Sequence, residues 1–547
     1  MSKEENKKSI EILPKIVLIP WHYDKSNIRS YPYFGKREIY CGPKLPNLNT
    51  NHRRFIHTSG KFFDIGEIIN KLSEEDKKVE LVILNLEVGS TCFPRNLFKL
   101  DCPKVGLVAD THHLLYPIST IIHYINNEKI NHILKFGQAA HLHFFYEAGI
   151  RNSAFIPCPV LEINQIKKKK SGVAYFGQKW KSSHPRRSRM VQFLAKNLPK
   201  NGIHFHWYNQ LPLKLWHNLL ARNKIVVLSS LNGQFTPQIC NCLYAGALCF
   251  IDRLTPQSFL YQFFIPDKHL IIWQNFDDLL EKLIYYYNHP KEAQDIAKAG
   301  QIQIKKIFVD NVPFGQIISK FVFENKVDSR FLATNDNRCK AVQDDSKQVF
   351  DMRIRLYENI QELHRIHEDL DIICITKKNL KISSDLADLP RLRITHAFLS
   401  KSQEEEATQF FDIFGVKSQI NTCLLKSLKK ANSFDIGIIE FDEDRMISPY
   451  LISYICTLLK PNSLLWVIGN LNSNQKEIIS LNGFKPFILK KKSYILKIKD
   501  ISRKICFYFW KLGYYPFPYL TLKPMMELLP NLHVFLRGWQ AHLPFLY

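Results

Sequence analysis

Two polar residues, Asp252 and Arg253, directly follow the short apolar run Leu248 to Ile251. The run is short enough to be a buried parallel strand. In an open α/β sheet, polar side chains just past the carboxyl end of a strand lie where ligands bind. A carboxylate and a guanidinium at such an edge could bind a polar or charged ligand. We therefore predict a binding site in this loop.

The surrounding segment predicts the elements that hold this loop in place. A helix is predicted from Thr236 to Tyr244, and Gly246 in the following turn lets the backbone reverse at little steric cost. A second short strand, Leu270 to Trp273, precedes Asn275, which can cap a helix with an apolar stripe. That helix is expected to end before Pro290. The order indicates one complete helix, strand, loop, strand and helix unit.

This unit resembles the C-terminal half of bacterial CgeB-like glycosyltransferases, which are similar to the wider GT-B group. The resemblance rests on the small-residue turn, the acidic and basic loop, the PDKHL strand and the stretch DDLLEKLIYYYNHPKEAQDIAKAG. Three other stretches fit the same family in the same order. They are Val105 to His113, the sequence FFYEAGIRNSAFIPCP at 144–159, and Val173 to Gln178 followed by Pro185-Arg186-Arg187. Together the matches span roughly the first three fifths of the chain.

The resemblance implies an α/β fold with two Rossmann-like domains in the GT-B arrangement. The second domain would hold a nucleotide-sugar donor, and the first a glycan, lipid-linked or protein acceptor. Without a metal, backbone N–H groups and Arg or Lys must neutralise the diphosphate leaving group. The predicted donor-binding residues are Gly177, Gln178, Lys179, Arg187, Gln238, Asn241, Gly246, Asp252 and Arg253. A solvated surface loop is the alternative for the charged members of this set.

Asp110 and His112 are the predicted catalytic residues, because they follow a buried strand at the edge of the implied cleft. A histidine there could act as a base or bind a sugar hydroxyl. The same polar cluster could instead cap the following helix. Retention or inversion of the anomeric centre stays open, because no carboxylate pair fixes it.

Two positions depart from the family pattern. Related glycosyltransferases carry a glutamate in the helix before the small-residue turn, where it binds the donor ribose, and often an arginine three residues earlier. This chain has Asn241 and Gln238 there. An asparagine can still bond a hydroxyl, but without charge assistance. Either the donor contact is altered, or the chain is a noncatalytic nucleotide- or glycan-binding scaffold.

A different α/β module follows, with strands predicted at 372–375, 392–394, 436–441, 464–468 and 494–498. The passage from Phe434 to Lys499 resembles the second half of class I methyltransferases. No G-x-G-x-x-G turn follows a first strand, and that turn lets the backbone approach S-adenosylmethionine. We therefore expect a degenerate third Rossmann-like domain and no S-adenosylmethionine. A bifunctional glycosyltransferase and methyltransferase is the remaining alternative.

The predicted organisation has five parts. They are an acceptor domain at 1–160, a donor domain at 171–325, a linker at 326–348, the methyltransferase-like domain at 349–500 and an aromatic, basic segment at 501–547.

Composition adds a partner class. The 547 residues contain 75 Lys and Arg against 50 Asp and Glu, a net charge of +25. This excess predicts an anionic partner: a membrane surface, a nucleotide diphosphate or nucleic acid. No RNA-binding signature is found, so nucleic acid is not expected.

Other features of the sequence predict where the protein works. The N-terminus lacks a signal-peptide pattern, and no apolar run reaches the roughly 18 residues of a membrane span. The 12 scattered cysteines are expected to be reduced, and none has metal-site spacing. We predict a cytoplasmic protein that uses no metal. Peripheral binding at the inner face of the membrane and a basic surface that is only solvated are the two alternatives for its charge.

Overall fold

In the computed structural model of the chain, the strands form three separate sheets, and helices alternate with the strands along the chain. The chain divides into two units, Met1–Asp336 with two of the sheets and Asn337–Tyr547 with the third. The structure describes residues 13–21, 34–43, 45, 49–86, 92–109, 111, 117–137, 139–156, 170–177, 185–209, 211, 213–230, 232–308, 314–326, 332–333, 346–367, 369–376, 380–428, 431–440, 449–468, 473–486 and 532–537.

The first unit contains thirteen of the strands described. They are β1 (Ile16–Pro20), β2 (Arg37–Gly42), β3 (Arg53–His57), β4 (Leu81–Leu86), β5 (Lys104–Val108), β6 (His132–Lys135), β7 (Asn152–Phe155), β8 (Lys170–Phe176), β9 (Phe205–Tyr208), β10 (Asn223–Val227), β11 (Leu248–Asp252), β12 (Ile271–Trp273) and β13 (Leu332–Ala333).

Its α-helices alternate with these strands. They are α1 (Ile65–Ile69), α2 (Pro117–Asn127), α3 (Leu142–Glu147), α4 (Pro185–Asn197), α5 (Leu213–Arg222), α6 (Pro237–Tyr244), α7 (Leu260–Phe263), α8 (Phe276–Asn288), α9 (Pro290–Phe308) and α10 (Phe314–Glu324). Short 3₁₀ segments lie at Leu97–Lys99, Ala139–His141, Pro199–Asn201 and Pro256–Ser258.

The first sheet has eight strands in the order β13-β7-β6-β5-β4-β1-β2-β3, and all pairs are parallel except β13 with β7. Strands β1 and β5 are buried along their whole length, as expected for a parallel sheet covered on both faces. Helix α10 follows the elements of the second sheet in the chain. Its Ile318, Phe321 and Val322 lie in the core of the first sheet.

The second sheet has five parallel strands in the order β12-β11-β10-β8-β9. Alternate strand residues enter two different cores, because successive side chains of a strand point to opposite faces. One face packs on α6 and α9 through Ile239, Leu243 and Ile304. The other packs on α4 and α8 through residues such as Leu194 and Leu283.

The first two sheets are joined by direct contacts. The N–H of Phe235 donates to the carbonyl of Gly137 at 2.7 Å. Gly137 has a φ of +77°, and a Cβ there would lie 2.6 Å from the Gln234 amide nitrogen. Leu142 and Phe155 from the first sheet's side lie in the same buried cluster as Phe235. The loop before α6 is therefore held from both sheets.

The second unit contains the third sheet. Its strands are β14 (Leu370–Ile375), β15 (Leu392–Phe398), β16 (Ile420–Leu424), β17 (Phe434–Glu440), β18 (Leu459–Ile468), β19 (Phe484–Pro486) and β20 (Leu532–Arg537). Its α-helices are α11 (Lys347–His367), α12 (Lys381–Leu386), α13 (Lys401–Ile413), α14 (Pro449–Leu458) and α15 (Ser473–Leu481), with 3₁₀ turns at Lys417–Gln419 and Leu425–Ser427.

The third sheet has the order β16-β15-β14-β17-β18-β20-β19. Strand β20 is antiparallel to both of its neighbours, and the other pairs are parallel. The imidazole of His396 fills the carboxyl end of β14. Its Nδ1 lies 2.8 Å from Ser383 Oγ, and its Nε2 lies 3.0 Å from the Thr376 carbonyl oxygen.

The predicted α/β class with three Rossmann-like sheets is confirmed. The apolar run Leu81 to Leu86 predicts a strand, and β4 has these bounds. Asn275 caps α8 by accepting from the N–H groups of Asp277 and Asp278 at 3.0 and 2.9 Å. The sequence from Phe63 to Leu72 predicts a helix, but α1 is shorter, because the Asp64 carboxylate caps it and fixes its first residue as Ile65.

Strand β2 was not predicted, because it carries buried charges. Glu38 is fully buried and accepts from Arg53 Nε at 2.7 Å, and burial raises the pKa of Glu38 although Arg53 opposes the shift. Two other predictions have different outcomes. Part of the predicted linker, Leu332–Ala333, forms a strand that pairs with β7. The predicted strand at 494–498 lies outside the described residues. The five domain boundaries stay predictions.

His396 makes the stability of the third sheet depend on pH. Burial lowers its pKa to about 4, against about 6.5 in an unfolded chain. The stabilisation by neutral His396 is complete above pH 6.5, and it is lost as the pH falls from 6.5 towards 4. We expect a loss of roughly 2 kcal/mol between pH 6.5 and 5, measured by hydrogen exchange of the β14 and β15 amides.

The matched variants are His396→Gln and His367→Gln, since His367 is an exposed histidine of the same unit. Only His396→Gln should flatten this part of the pH profile. An unchanged profile in His396→Gln would contradict the assignment.

Candidate functional site

The candidate site lies at the point where the strand order of the second sheet reverses. Strand β8 has β9 on one side and β10 on the other, so the chain leaves the carboxyl ends of β8 and β10 in opposite directions. Ligands of open α/β sheets bind in the crevice at such a point. Gly177 follows β8 there, and the segment 228–230 follows β10.

Gly177 begins the loop after β8 in a conformation that favours glycine. Its φ is +150°, and a Cβ would lie 2.8 Å from the Tyr175 hydroxyl. Its N–H donates to the Tyr208 carbonyl, and its carbonyl accepts from Trp207 Nε1, both at 3.0 Å. Trp207 keeps 37% of its surface exposed beside this loop. The backbone at Gly177 is therefore fixed and free of side-chain bulk.

The segment 228–230 is anchored at three backbone atoms by three side chains. Trp273 Nε1 donates to the carbonyl of Leu228 at 3.3 Å, and Arg187 Nε donates to the carbonyl of Ser229 at 2.9 Å. The N–H of Ser230 donates to Asp252 Oδ1 at 2.7 Å. We call this arrangement the 228–230 anchor. It fixes the direction in which the two serine side chains leave the backbone.

The acidic member of the anchor is paired with a buried arginine. Asp252 has no exposed surface, and its Oδ2 lies 3.5 Å from Arg186 Nε. The Arg186 guanidinium carbon lies 4.8 Å from the centre of the Trp273 ring and 5.3 Å from that of Phe276. Both distances are within the range of cation–π attraction.

The pKa of Tyr175 responds to charged groups of the anchor. Burial raises the pKa of its phenol, while the charge of Arg187 lowers it and that of Asp252 raises it. Both charged groups therefore act on the same buried hydroxyl. The phenol is protonated at neutral pH and can donate a hydrogen bond.

Four buried oxygen atoms of residues 229–241 have no hydrogen-bond partner among the described residues. They are Ser229 Oγ, Ser230 Oγ, Thr236 Oγ1 and Asn241 Oδ1, and we call them the orphan oxygens. Their residues are exposed by only 4%, 4%, 7% and 8%. A buried polar group without a partner costs about 1–3 kcal/mol. Hydroxyl groups of a ligand could supply the missing partners.

The same segment leads into the N-terminus of α6. Thr236 is the N-cap residue, but its side chain does not cap the helix. Pro237 occupies the first turn, where no backbone donor is required. The helix dipole attracts anions at this end. Pro237 has no N–H and the Ile239 N–H donates to the Thr236 carbonyl at 3.0 Å, so the dipole rather than a set of backbone donors would favour a phosphate here.

The predicted donor residues fall into two groups. Gly177, Arg187, Asn241 and Asp252 lie at the edge described above, and Gln238 is half-buried in the first turn of α6. Arg253 is exposed beside them, and its Nη1 lies 3.4 Å from Gln274 Oε1.

Gly246 lies at the opposite end of α6. It has a φ of +68°, and a Cβ there would lie 2.8 Å from the Gln301 amide nitrogen. That nitrogen also donates to the Tyr244 carbonyl at 2.8 Å. Gly246 therefore forms the turn that packs on α9. Asp110, His112, Gln178 and Lys179 lie outside the described residues.

Polar residues also collect at the edge of the first sheet, and the sequence analysis missed them. Lys135 ends β6 without exposed surface and donates to the Ala109 carbonyl at 2.7 Å and to the Phe136 carbonyl at 3.2 Å. Thr111 Oγ1 and His141 Nδ1 are 2.7 Å apart and fully buried. A lysine at the end of an apolar run was the available signal.

The sequence analysis also missed Arg186, Ser229, Ser230 and Trp207. The two serines directly follow the apolar run of β10, which is the signal that led to Asp252. The sequence signal for Arg186 was weaker. Two consecutive arginines open α4, and no neighbouring residue indicates which of them faces the sheet.

Two further features, a metal cluster and a membrane-spanning helix, are absent from the described residues. No group of three or more His, Cys, Asp or Glu side chains in the described ranges is arranged to hold a metal ion. No helix in the part of the chain that the structure describes is both long and apolar enough to cross a membrane.

Comparison with known proteins places the site in a recognised domain type. Residues 165–308 match the family model described as glycosyl transferase-like, and this range includes the whole second sheet. The chain therefore contains a glycosyltransferase-like domain. Guanylate cyclase beta of Plasmodium berghei (strain Anka) is 27% identical over 156 residues, which are 25% of this chain. The chain spans 5% of the length of that curated relative.

Two solved structures are similar in shape. Sucrose-phosphate synthase from Thermosynechococcus elongatus is 10% identical, with a TM-score of 0.40 over 57% of this chain and 100% of that one. Anabaena HepE in complex with UDP-glucose is also 10% identical, with a TM-score of 0.39 over 57% and 100%.

Substitution of Asn241 tests whether an orphan oxygen serves ligand binding rather than stability. Asn241→Leu should leave the free energy of unfolding unchanged or raise it by up to about 1 kcal/mol, because it removes a buried acceptor that has no partner. Asn275→Leu is the matched control, since Asn275 caps α8 through two hydrogen bonds, and it should cost about 1 kcal/mol. Denaturant unfolding measures both. A larger loss in Asn241→Leu than in Asn275→Leu would mean that Asn241 is structural.

Proposed function

We propose that this protein is a glycosyltransferase that takes a sugar from a nucleotide diphosphate donor. One observation carries the proposal: the four orphan oxygens lie within the range that matches the glycosyl transferase-like family model. Nucleotide-sugars present both hydroxyl groups and a diphosphate. The switch point of the second sheet offers buried oxygens, a helix N-terminus and an arginine to such a molecule.

Each part of the proposed site has a role in the transfer. As the bond between sugar and diphosphate breaks, negative charge grows on the leaving phosphate. Arg187 and the first turn of α6 stabilise that charge, because fixed dipoles and guanidinium groups need no reorganisation. Ser229, Ser230 and Asn241 bind hydroxyl groups of the donor and hold the reacting carbon in place. No step of this scheme requires a metal ion.

The acceptor side belongs to the first domain in this proposal. Asp110 and His112 stay the predicted catalytic residues, with His112 as the base for the acceptor hydroxyl or as a group that binds a sugar hydroxyl. The acceptor class remains a glycan, a lipid-linked sugar or a protein. The CgeB-like resemblance and binding to an anionic membrane surface also stay predictions, the latter supported by the net charge of +25.

We propose no methyl transfer for the third sheet. His396 bonds to Ser383 and to the carbonyl of Thr376, which follows β14. All six residues of α12 are buried, and none is glycine. These observations support the proposal that the third sheet does not bind S-adenosylmethionine.

Arg187 provides the test of the donor site. We expect one nucleotide among UDP, GDP and CMP to bind the purified chain in isothermal titration. Arg187→Ala should weaken that binding roughly 10- to 100-fold, because it removes a charge-assisted bond to phosphate. Arg189→Ala removes the same charge from an exposed position on the same helix and should change the affinity little.

Equal losses in the two variants would mean that only the net charge matters. Turnover of the matching nucleotide-sugar separates an enzyme from a noncatalytic scaffold. Binding without release of the sugar would favour the scaffold.

A further inference from the structure

Asp252 is at the candidate site without being exposed to it. Its side chain has no accessible surface. Oδ1 accepts from the Ser230 N–H at 2.7 Å, and Oδ2 faces Arg186 at 3.5 Å. A buried carboxylate in this position can influence a ligand only through the residues that it contacts, here Ser230 and Arg186.

We propose that Asp252 and Arg186 are a positioning pair that aims the hydroxyl groups of Ser229 and Ser230 at the donor. The inference rests on the proposed nucleotide-sugar site and assigns these two residues a task there. Neither residue touches the donor. The serines do, and their direction depends on the pair.

The chemistry of the pair explains why both members are required. A buried carboxylate needs a positive partner and hydrogen-bond donors, because desolvation otherwise costs several kcal/mol. Arg186 supplies the charge, and its flat guanidinium lies over the Trp273 and Phe276 rings. A lysine ammonium has neither the planar shape nor the weak hydration that this stacking uses.

Asp252 reaches both serines through the peptide unit that joins them. Its carboxylate accepts from the N–H of Ser230, and Arg187, which is not a member of the pair, donates to the carbonyl of Ser229. Both polar atoms of this one peptide unit are thus held. The Oγ atoms of the two serines are left without a partner in the described part of the chain and buried beside the site.

A double-mutant cycle with Ser230→Ala and Asp252→Leu tests the coupling, because leucine removes the acceptor of the Ser230 N–H, whereas asparagine would keep an amide oxygen there. Ser230→Ala alone should weaken binding of the nucleotide found in the screen about tenfold, the effect of one hydrogen bond. If Asp252 acts through Ser230, the same substitution made in Asp252→Leu should weaken binding by less than about threefold. Fully multiplicative effects would overturn the inference.

A second pair of variants separates positioning from stability. Asp252→Leu leaves the Arg186 charge buried and should lower the melting temperature, whereas Arg186→Met with Asp252→Leu should restore much of it. The double variant still lacks the acceptor for the Ser230 N–H, so its nucleotide affinity should stay about as low as that of Asp252→Leu. Affinity that recovers together with stability would overturn the inference.

Leu283→Ala is the control for a general loss of stability, since Leu283 lies in the same core on α8. It should lower the melting temperature and leave the affinity unchanged. If the unaltered chain binds no nucleotide, the proposed function fails and this inference with it. If the chain binds and Asp252→Leu binds equally well, only the inference fails.

Discussion

The buried carboxylate of Asp252 is the constraint on which the second sheet depends. An ion this far from water is tolerated only with an opposite charge and a good hydrogen-bond donor. Arg186 at the start of α4 supplies the charge, and the Ser230 N–H after β10 supplies the donor. Trp273 at the end of β12 then covers Arg186 and bonds to Leu228. One buried charge thus fixes the ends of several elements relative to each other.

The loop before α6 is held from the opposite side by the first sheet. Phe235 bonds to Gly137 and lies in a core shared with Leu142 and Phe155. A packed core of this kind has discrete arrangements and resists continuous deformation. Separation of the sheets at this point would expose several aromatic side chains to water. This packing therefore holds the start of α6 against the first sheet.

The sequence predicted elements well where the pattern was local. The apolar run of β4 and the cap at Asn275 each follow from a few neighbouring residues. Strand β2 did not follow, because Glu38 interrupts its apolar pattern and becomes compatible with burial only through Arg53 on β3.

The candidate site shows the same division between local and distant information. The polar edge after β11 was predictable from the end of an apolar run. The burial of Asp252 was not, since it depends on Arg186 from a distant segment. The choice between Arg186 and Arg187 is a question of helix phase at the first turn of α4. That phase is set by packing against the sheet rather than by the dipeptide itself.

The second and third sheets offer a contrast that bears on where chemistry occurs. Both have a switch point beside a central strand, at β8 with β10 and at β14 with β17. At the third sheet, His396 bonds to Thr376 and Ser383 and closes the edge with protein atoms. At the second sheet, the protein leaves four buried oxygens without partners among the described residues. Such groups lower stability unless a ligand or water satisfies them. Ser463 Oγ and Trp466 Nε1 of β18 are also buried without a partner among the described residues. The two serines that follow β10 differ from them by lying at the switch point itself, in the glycosyltransferase-like range.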